Sequence, residues 1–249
     1  MTQVQIFALP GLPEIKRGDD LARLFVAGAH DNDLEIAEGD VFVVAQKIVS
    51  KAEDRVVRLD SIVPSERARQ WANDWSKDAR VVELVLREAK RIVKMERGII
   101  IAETKHGFVC ANAGIDVSNA EPDTAILLPE NPDASARALQ SQLAAAFATH
   151  VGVIISDTFG RAWREGLVNV ALGVAGIAPL IDYRGRTDAN GKILQATIIA
   201  VADEMASAAE LIMGKADRIP VAIVRGARLG TRSGSGEDLI RTADKDLFR

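Results

Sequence analysis

The chain has 249 residues, of which 48% are hydrophobic and 27% charged, and its net charge is −4. That apolar share excludes a disordered chain, and no apolar run approaches the ~20 residues of a membrane span. The acidic balance argues against a general nucleic-acid binder, which needs a basic excess to replace phosphate counterions. Cys110 is the only cysteine, so no disulfide can form within the chain, and its apolar neighbours point to burial rather than catalysis. The first ten residues lack the basic segment and long apolar core of a signal peptide. A cytoplasmic protein is expected, with no membrane and no nucleic acid among its partners.

Residues 4–7 read as a strand, which Leu9-Pro10-Gly11-Leu12-Pro13 cannot continue because proline removes donors. Asp19 or Asp20 caps a helical pattern through Leu21, Leu24 and Phe25. Residues 41–45 form a strand, and the polar run 46–51 places Lys47 and Lys51 on its rim, where they are solvated or hold phosphates. Residues 65–75 and 79–93 carry apolar side chains at helical spacing. Residues 98–103 and 108–111 suggest a hairpin around His106-Gly107. Asp133 is read as the cap of a helix over 134–148.

Residues 151–164, V-G-V-I-I-S-D-T-F-G-R-A-W-R, read as a buried strand with a polar tip. Side chains at the carboxyl end of such a strand reach solvent where ligands bind. An acid and a hydroxyl there suit Mg²⁺ or Mn²⁺, and nearby arginines suit phosphate oxygens. Ordinary turn roles for Asp157 and Gly160 remain open. The segment 112–119 concentrates small, amide and acidic residues after a strand, where Asp116 can meet a cation or make an Asx turn.

Glycines in 168–181 indicate close backbone packing rather than one long helix, and this segment is the candidate dimer surface. Tyr183, Arg184 and Arg186 lie in a polar loop. Residues 193–202 read as a strand, a helix follows from Asp203-Glu204 to Gly214, and residues 221–224 form another strand. Residues 226–236 are a glycine-rich basic loop able to fold over an anion, and a last helix is expected over 237–248.

Several familiar motifs are absent. Neither G-x-x-x-x-G-K-[ST] nor G-x-G-x-x-G occurs, so a nucleotide would be held without a P-loop. The three histidines have no zinc-site spacing, and no G-x-S-x-G elbow appears. On the residues alone, a phosphoryl-transferring ligase or kinase and a non-catalytic nucleotide-binding regulator both remain open.

Four separated strings carry a more specific signal. They are L-P-G-L-P-E-I-K-R-G-D-D-L near the start, N-A-G-I-D-V-S-N, S-D-T-F-G-R-A-W-R, and V-A-D-E-M with M-G-K-A-D-R-I-P-V-A-I-V-R-G. In this order they resemble the coenzyme F420-0:L-glutamate ligase family, in its free-standing form. The resemblance implies an α+β fold of mixed sheets and packed helices, without a P-loop, assembled as an intertwined dimer. It implies one ligase unit over 1–249, in one or two lobes, with no C-terminal nitroreductase-like domain.

The implied activity is GTP-dependent addition of one or more L-glutamates to F420-0 through an acyl phosphate, with GTP as co-substrate, Mg²⁺ or Mn²⁺, and K⁺ as a further cation. By similarity, Asp116, Asp157 and Thr158 match metal-holding positions. The matching GTP contacts are Leu12, Pro13, Glu14, Ile15, Gln46, Lys47, Lys51, Asn119, Met213, Gly214, Lys215, Ala216, Asp217, Arg218 and Ile219. Two residues depart from the family's pattern. Archaeal members tend to have Gln or Glu where Lys215 stands, and that side chain joins the metal site. Lys47 replaces a small hydroxyl residue.

Phosphoryl transfer depends on positioning and charge neutralisation. Asp116 and Asp157 are therefore expected to carry the metal, and Lys51 and Lys215 to neutralise the remaining charge, with Asp116, Asp157 and Lys51 as the catalytic set. Arg161 and Arg164 are candidates for the precursor's phosphodiester or the glutamate carboxylates, on position and charge alone.

Overall fold

The computed structural model describes residues 3–118, 120–230 and 233–247. In chain order its elements are β1 (Gln5–Ala8), α1 (Leu21–Asp31), β2 (Val41–Ala45), α2 (Gln46–Ala52), β3 (Val56–Arg58), α3 (Glu66–Trp75), α4 (Ala79–Glu88), β4 (Ala89–Glu96), β5 (Ile99–Thr104), β6 (Val109–Ala111), β7 (Thr124–Ile126), α5 (Pro132–Phe147), β8 (Gly152–Arg161), β9 (Arg164–Ala175), β10 (Ile181–Asp182), β11 (Ile198–Ile199), α6 (Val201–Met213) and β12 (Val221–Arg225). The fold is α+β, with mixed sheets and several helices.

The main sheet runs β1-β12-β2-β8-β9, antiparallel except that β2 and β8 are parallel. Val41 to Val44 and Val153 to Ile155 are fully buried, because helices cover both faces and leave no polar side to the strands. On one face Phe42, Val44, Val153 and Ile155 pack against Phe25 of α1 and Leu139 and Leu143 of α5. On the other, Val41, Val43 and Ile154 meet Met205, Ala206 and Ala209 of α6. A third core joins α3 and α4 to β5 through Ala72, Val85, Ile100 and Ala102.

The expected helix over 79–93 stops at Glu88, and residues 89–96 pair with β5. Arg97 and Gly98 both have positive φ, the requirement of a type I′ hairpin turn, and pairing across it overrides the helical spacing. Lys47 and Lys51 do not lie on a strand rim but on α2. Asn131, not Asp133, caps α5. The Asp133 carboxylate is buried and accepts the backbone N–H groups of Val174 (2.8 Å) and Gly236 (2.6 Å).

Of the strand expected over 193–202, Ile198–Ile199 pairs with β10 and Ile193 makes an isolated bridge to Thr187, while α6 already begins at Val201. The expected helix over 237–248 is replaced, among the described residues, by 3₁₀ turns at Gly236–Leu239 and Ala243–Lys245. Asp133 tethers the start of that segment, and its apolar contacts stop early: Leu239 packs on the core while Leu247 is exposed, too short an apolar face to drive a helix.

The segment proposed as a dimer surface is largely interior: Ala171, Leu172, Val174, Ala175, Ile177 and Ala178 are buried within the chain. A Cβ at Gly173 would lie 2.2 Å from the Pro132 carbonyl oxygen, so glycine is what lets α5 approach β9. Among the described residues, no helix is long and apolar enough to cross a membrane.

Candidate active site

The parallel pairing of β2 with β8 sets Ala45, the last residue of β2, opposite Ser156, so Gln46 leaves β2 beside Asp157, while β8 itself runs on, paired with β9, to Arg161. Ligands commonly bind beyond the carboxyl ends of neighbouring parallel strands. Gln46 Nε2 and Ser156 Oγ are buried here with no hydrogen-bond partner among the described residues.

Three further segments reach this edge for identifiable reasons. Residues preceding β12 are held there because Ala45 N–H donates to the Pro220 carbonyl (2.9 Å). The loop at residues 12–15 lies along α2, with Ile15 buried in the same core as Ile48 and Val49. Its Glu14 carboxylate accepts Lys51 Nζ at 2.5 Å. Asp116 bridges to Ile126 of β7 through two backbone hydrogen bonds of 3.0 and 2.8 Å, and β7 pairs with β3, which follows α2 closely.

Lys47 and Lys51 are four apart on α2 and share a face. Lys47 Nζ meets Asp116 Oδ2 at 2.7 Å and donates to the Ser118 carbonyl and hydroxyl at 3.1 and 2.9 Å. Asp116 Oδ1 accepts Ser118 N–H at 2.6 Å. Burial works to raise the Asp116 carboxyl, but hydrogen bonds from Lys47 and Ser118 hold it below its ordinary value. Asp157 titrates the other way. Burial pushes it from 3.8 to about 6, against a backbone hydrogen bond from Thr158 and the charges of Lys215 and Lys47, while the Asp116 charge adds to the rise.

Successive residues of a strand face opposite sides, so Thr158 turns away from Asp157. Its hydroxyl donates to Asn169 Oδ1 (2.7 Å) and accepts Lys215 Nζ (2.5 Å). Asn169 in turn donates to Glu210 of α6 at 2.9 Å. Sequence reasoning overlooked Asn169 and Glu210, although a lone amide inside an apolar run was the available signal.

The structure thus brings together Gln46, Lys47, Asp116, Asp157, Thr158 and Lys215, with Glu14 and Lys51 adjoining along α2. It does not bring Arg161 and Arg164 to them. Both lie at the exposed β8–β9 tip, where Arg161 donates to the carbonyls of Glu165 and Gly166 in its own turn. Asn119 lies outside the described residues. Cys110 is buried, which pushes its thiol up to about 12 and leaves it inert.

No group of three or more His, Cys, Asp or Glu side chains is disposed to hold a metal among the described residues. The two carboxylates Asp116 and Asp157 are hard oxygen donors that fit one Mg²⁺ or Mn²⁺ completed by phosphate oxygens and water. The Thr158 hydroxyl is already engaged by an ammonium group.

A family model described as F420-0:gamma-glutamyl ligase matches residues 11–226. The chain is 43% identical to the coenzyme F420:L-glutamate ligase of Methanothermobacter thermautotrophicus, covering 99% of each protein. It is 47% identical to the enzyme of that name from Methanocaldococcus jannaschii over 86% of each, and 45% identical to that of Methanopyrus kandleri over 99% of this chain and 98% of the relative. The model match spans most of the sequence and includes every residue of the cluster described above, so the chain belongs to the F420-0:gamma-glutamyl ligase family.

Proposed function

We propose that this chain joins L-glutamate to F420-0 at the expense of GTP. The carrying observation is the meeting of Asp116, Asp157, Lys47 and Lys215 where β2 ends beside the middle of β8. The names of its relatives support the substrates. Forming an amide in water is uphill, so the acceptor carboxylate must first be activated. Attack of that carboxylate on the γ-phosphorus of GTP releases GDP and leaves an acyl phosphate. The glutamate amine then displaces inorganic phosphate and gives up its proton as the amide forms.

In this reading the loop at 12–15, Gln46, Lys51, Asn119 and the Met213–Ile219 segment cradle GTP. Glu14 is exposed and free to swing aside, so a phosphate can replace it on Lys51. Mg²⁺ or Mn²⁺, held by Asp116 and Asp157, would supply neutralising charge to the phosphates. Lys47 holds Asp116 in position through its three contacts. The reading includes a homodimer, which sedimentation of the purified chain would count.

Incubation with GTP, Mn²⁺, L-glutamate and F420-0, followed by mass spectrometry, tests the proposal and counts the glutamates added. Glutamate-dependent GDP release with a matching F420-glutamate product is expected. GTP binding with no such product would instead identify a nucleotide-binding regulator.

A further inference from the structure

The candidate site carries its own cations. Lys47 Nζ lies against Asp116 and Lys215 Nζ against the Thr158 hydroxyl, and Asp157 stands within the field of both lysines. The Asp116 and Asp157 carboxylates therefore face two ammonium groups before any ion enters, with the Glu210 carboxylate set further back behind Asn169. Resting on the ligase reading, we propose that the Lys215 ammonium takes the place of a cation at the Thr158 side of the cluster. This chain then recruits a single divalent ion, and only together with the nucleotide.

The placement of Lys215 follows from its surroundings. Thr158 gives its proton to Asn169, and Asn169 is itself held by Glu210, so the hydroxyl is fixed with a lone pair turned to Lys215. Gly214, at φ 56°, turns the chain out of α6 immediately before Lys215. An ion bound to Thr158 Oγ1 at about 2.1 Å would lie within roughly 5 Å of the ammonium, where like charges in a partly buried site repel strongly. Lys47 cannot compensate by withdrawing without breaking its contacts to Asp116 and to both Ser118 oxygens.

A divalent ion is then useful to this chain mainly as the counterion of a triphosphate, whose added negative charge restores the demand for it. Lys215→Glu reverses the balance by replacing an ammonium with an oxygen donor, and Lys215→Met removes the ammonium without offering a donor. Lys215 is exposed, so both variants are expected to keep the fold.

The experiment is Mn²⁺ titration of full-length protein, followed by electron paramagnetic resonance of the free ion, without nucleotide and with a non-hydrolysable GTP analogue. Wild type is expected to take up no Mn²⁺ below about millimolar concentration when alone, and one per chain with the analogue. Lys215→Glu is expected to bind one Mn²⁺ without nucleotide and two with it, and Lys215→Met to bind without nucleotide at least tenfold more tightly than wild type. Tight binding of Mn²⁺ by nucleotide-free wild type, or unchanged stoichiometry in Lys215→Glu, would overturn the inference. Failure of the analogue to bind any form would sink the GTP reading, while the nucleotide-free titrations would still decide the role of Lys215.

Discussion

Lys47 and Asp116, 69 residues apart in sequence, meet at 2.7 Å, with Ser118 accepting the remaining hydrogen bonds of the ammonium group. Lys47→Ala leaves a partly buried carboxylate without its cation. The Asp116 carboxyl, held below its ordinary value in the native protein, should then rise. A depressed carboxyl contributes stability that is present above the unfolded-state value near 3.8 and is lost as pH falls through the folded one. Lys47→Ala should therefore lower stability at pH 7 by about 1 kcal/mol and flatten the acid limb of the stability curve. Urea unfolding from pH 7 down to 3 measures both; an unchanged acid limb would remove Lys47 from this role.

Asp157 predicts the opposite pH dependence. Burial raises its carboxyl from 3.8 to about 6, so between those values the folded state holds a proton that the unfolded state has released. Stability of the ligand-free protein contributed by this group should decline as pH rises from about 4 through 6, by at most about 3 kcal/mol. Asp157→Asn keeps the shape without the charge. It should be more stable than wild type above pH 6 and should lose glutamate-dependent GTP turnover. Thermal melts across pH 4 to 8 check the first outcome, and GDP release the second.

The contact of α5 with β9 at Gly173 predicts a large loss from a small change. Alanine there would force a methyl group to within 2.2 Å of a backbone oxygen, which cannot swing aside. Gly173→Ala should cost about 2–3 kcal/mol. Gly160→Ala lies on the partner strand, and its nearest contact would be Leu167 at an ordinary 3.9 Å; it should be close to neutral. Chemical denaturation of the two variants makes the comparison, and equal losses would argue that strand propensity, not the close approach, governs this position.

Asp40 is fully buried, and its two carboxylate oxygens accept Arg225 Nε at 2.8 Å and a terminal guanidinium nitrogen at 2.6 Å. The Asp40 oxygen that takes the latter also accepts Ala37 N–H. The pair ties the end of β12 to the start of β2, at the edge of the sheet opposite the one where β2 gives way to Gln46. Arg225→Ala leaves a buried charge unpaired and should cost about 3–5 kcal/mol. A double substitution, Asp40→Asn with Arg225→Met, should cost less than the single change, because no naked charge remains. Melting temperatures of the three proteins distinguish these cases.

Local pattern made several elements legible before any tertiary structure. An Asp20 side chain accepting Arg23 N–H, the continuous apolar runs of β2 and β8, and the hairpin of β5 and β6 all rest on short-range chemistry. The polar turn after Ile155 was legible too, but not its setting: β8 runs on beside β9, and Ser156 and Asp157 are held inside rather than at a solvent-facing tip. What periodicity reports is that a face must be buried, not what buries it. Hence residues 89–93 have helical spacing yet belong to β4, because β5 pairs with them, and Asp133 has the chemistry of a cap yet bonds across to β9 and the 3₁₀ turn at Gly236. The pairing of Lys47 with Asp116 and the seating of Lys215 on Thr158 were invisible for the same reason. Both depend on β2 lying parallel to β8 and on the chain between them folding back through β7, long-range contacts whose free energy no local window of the sequence contains.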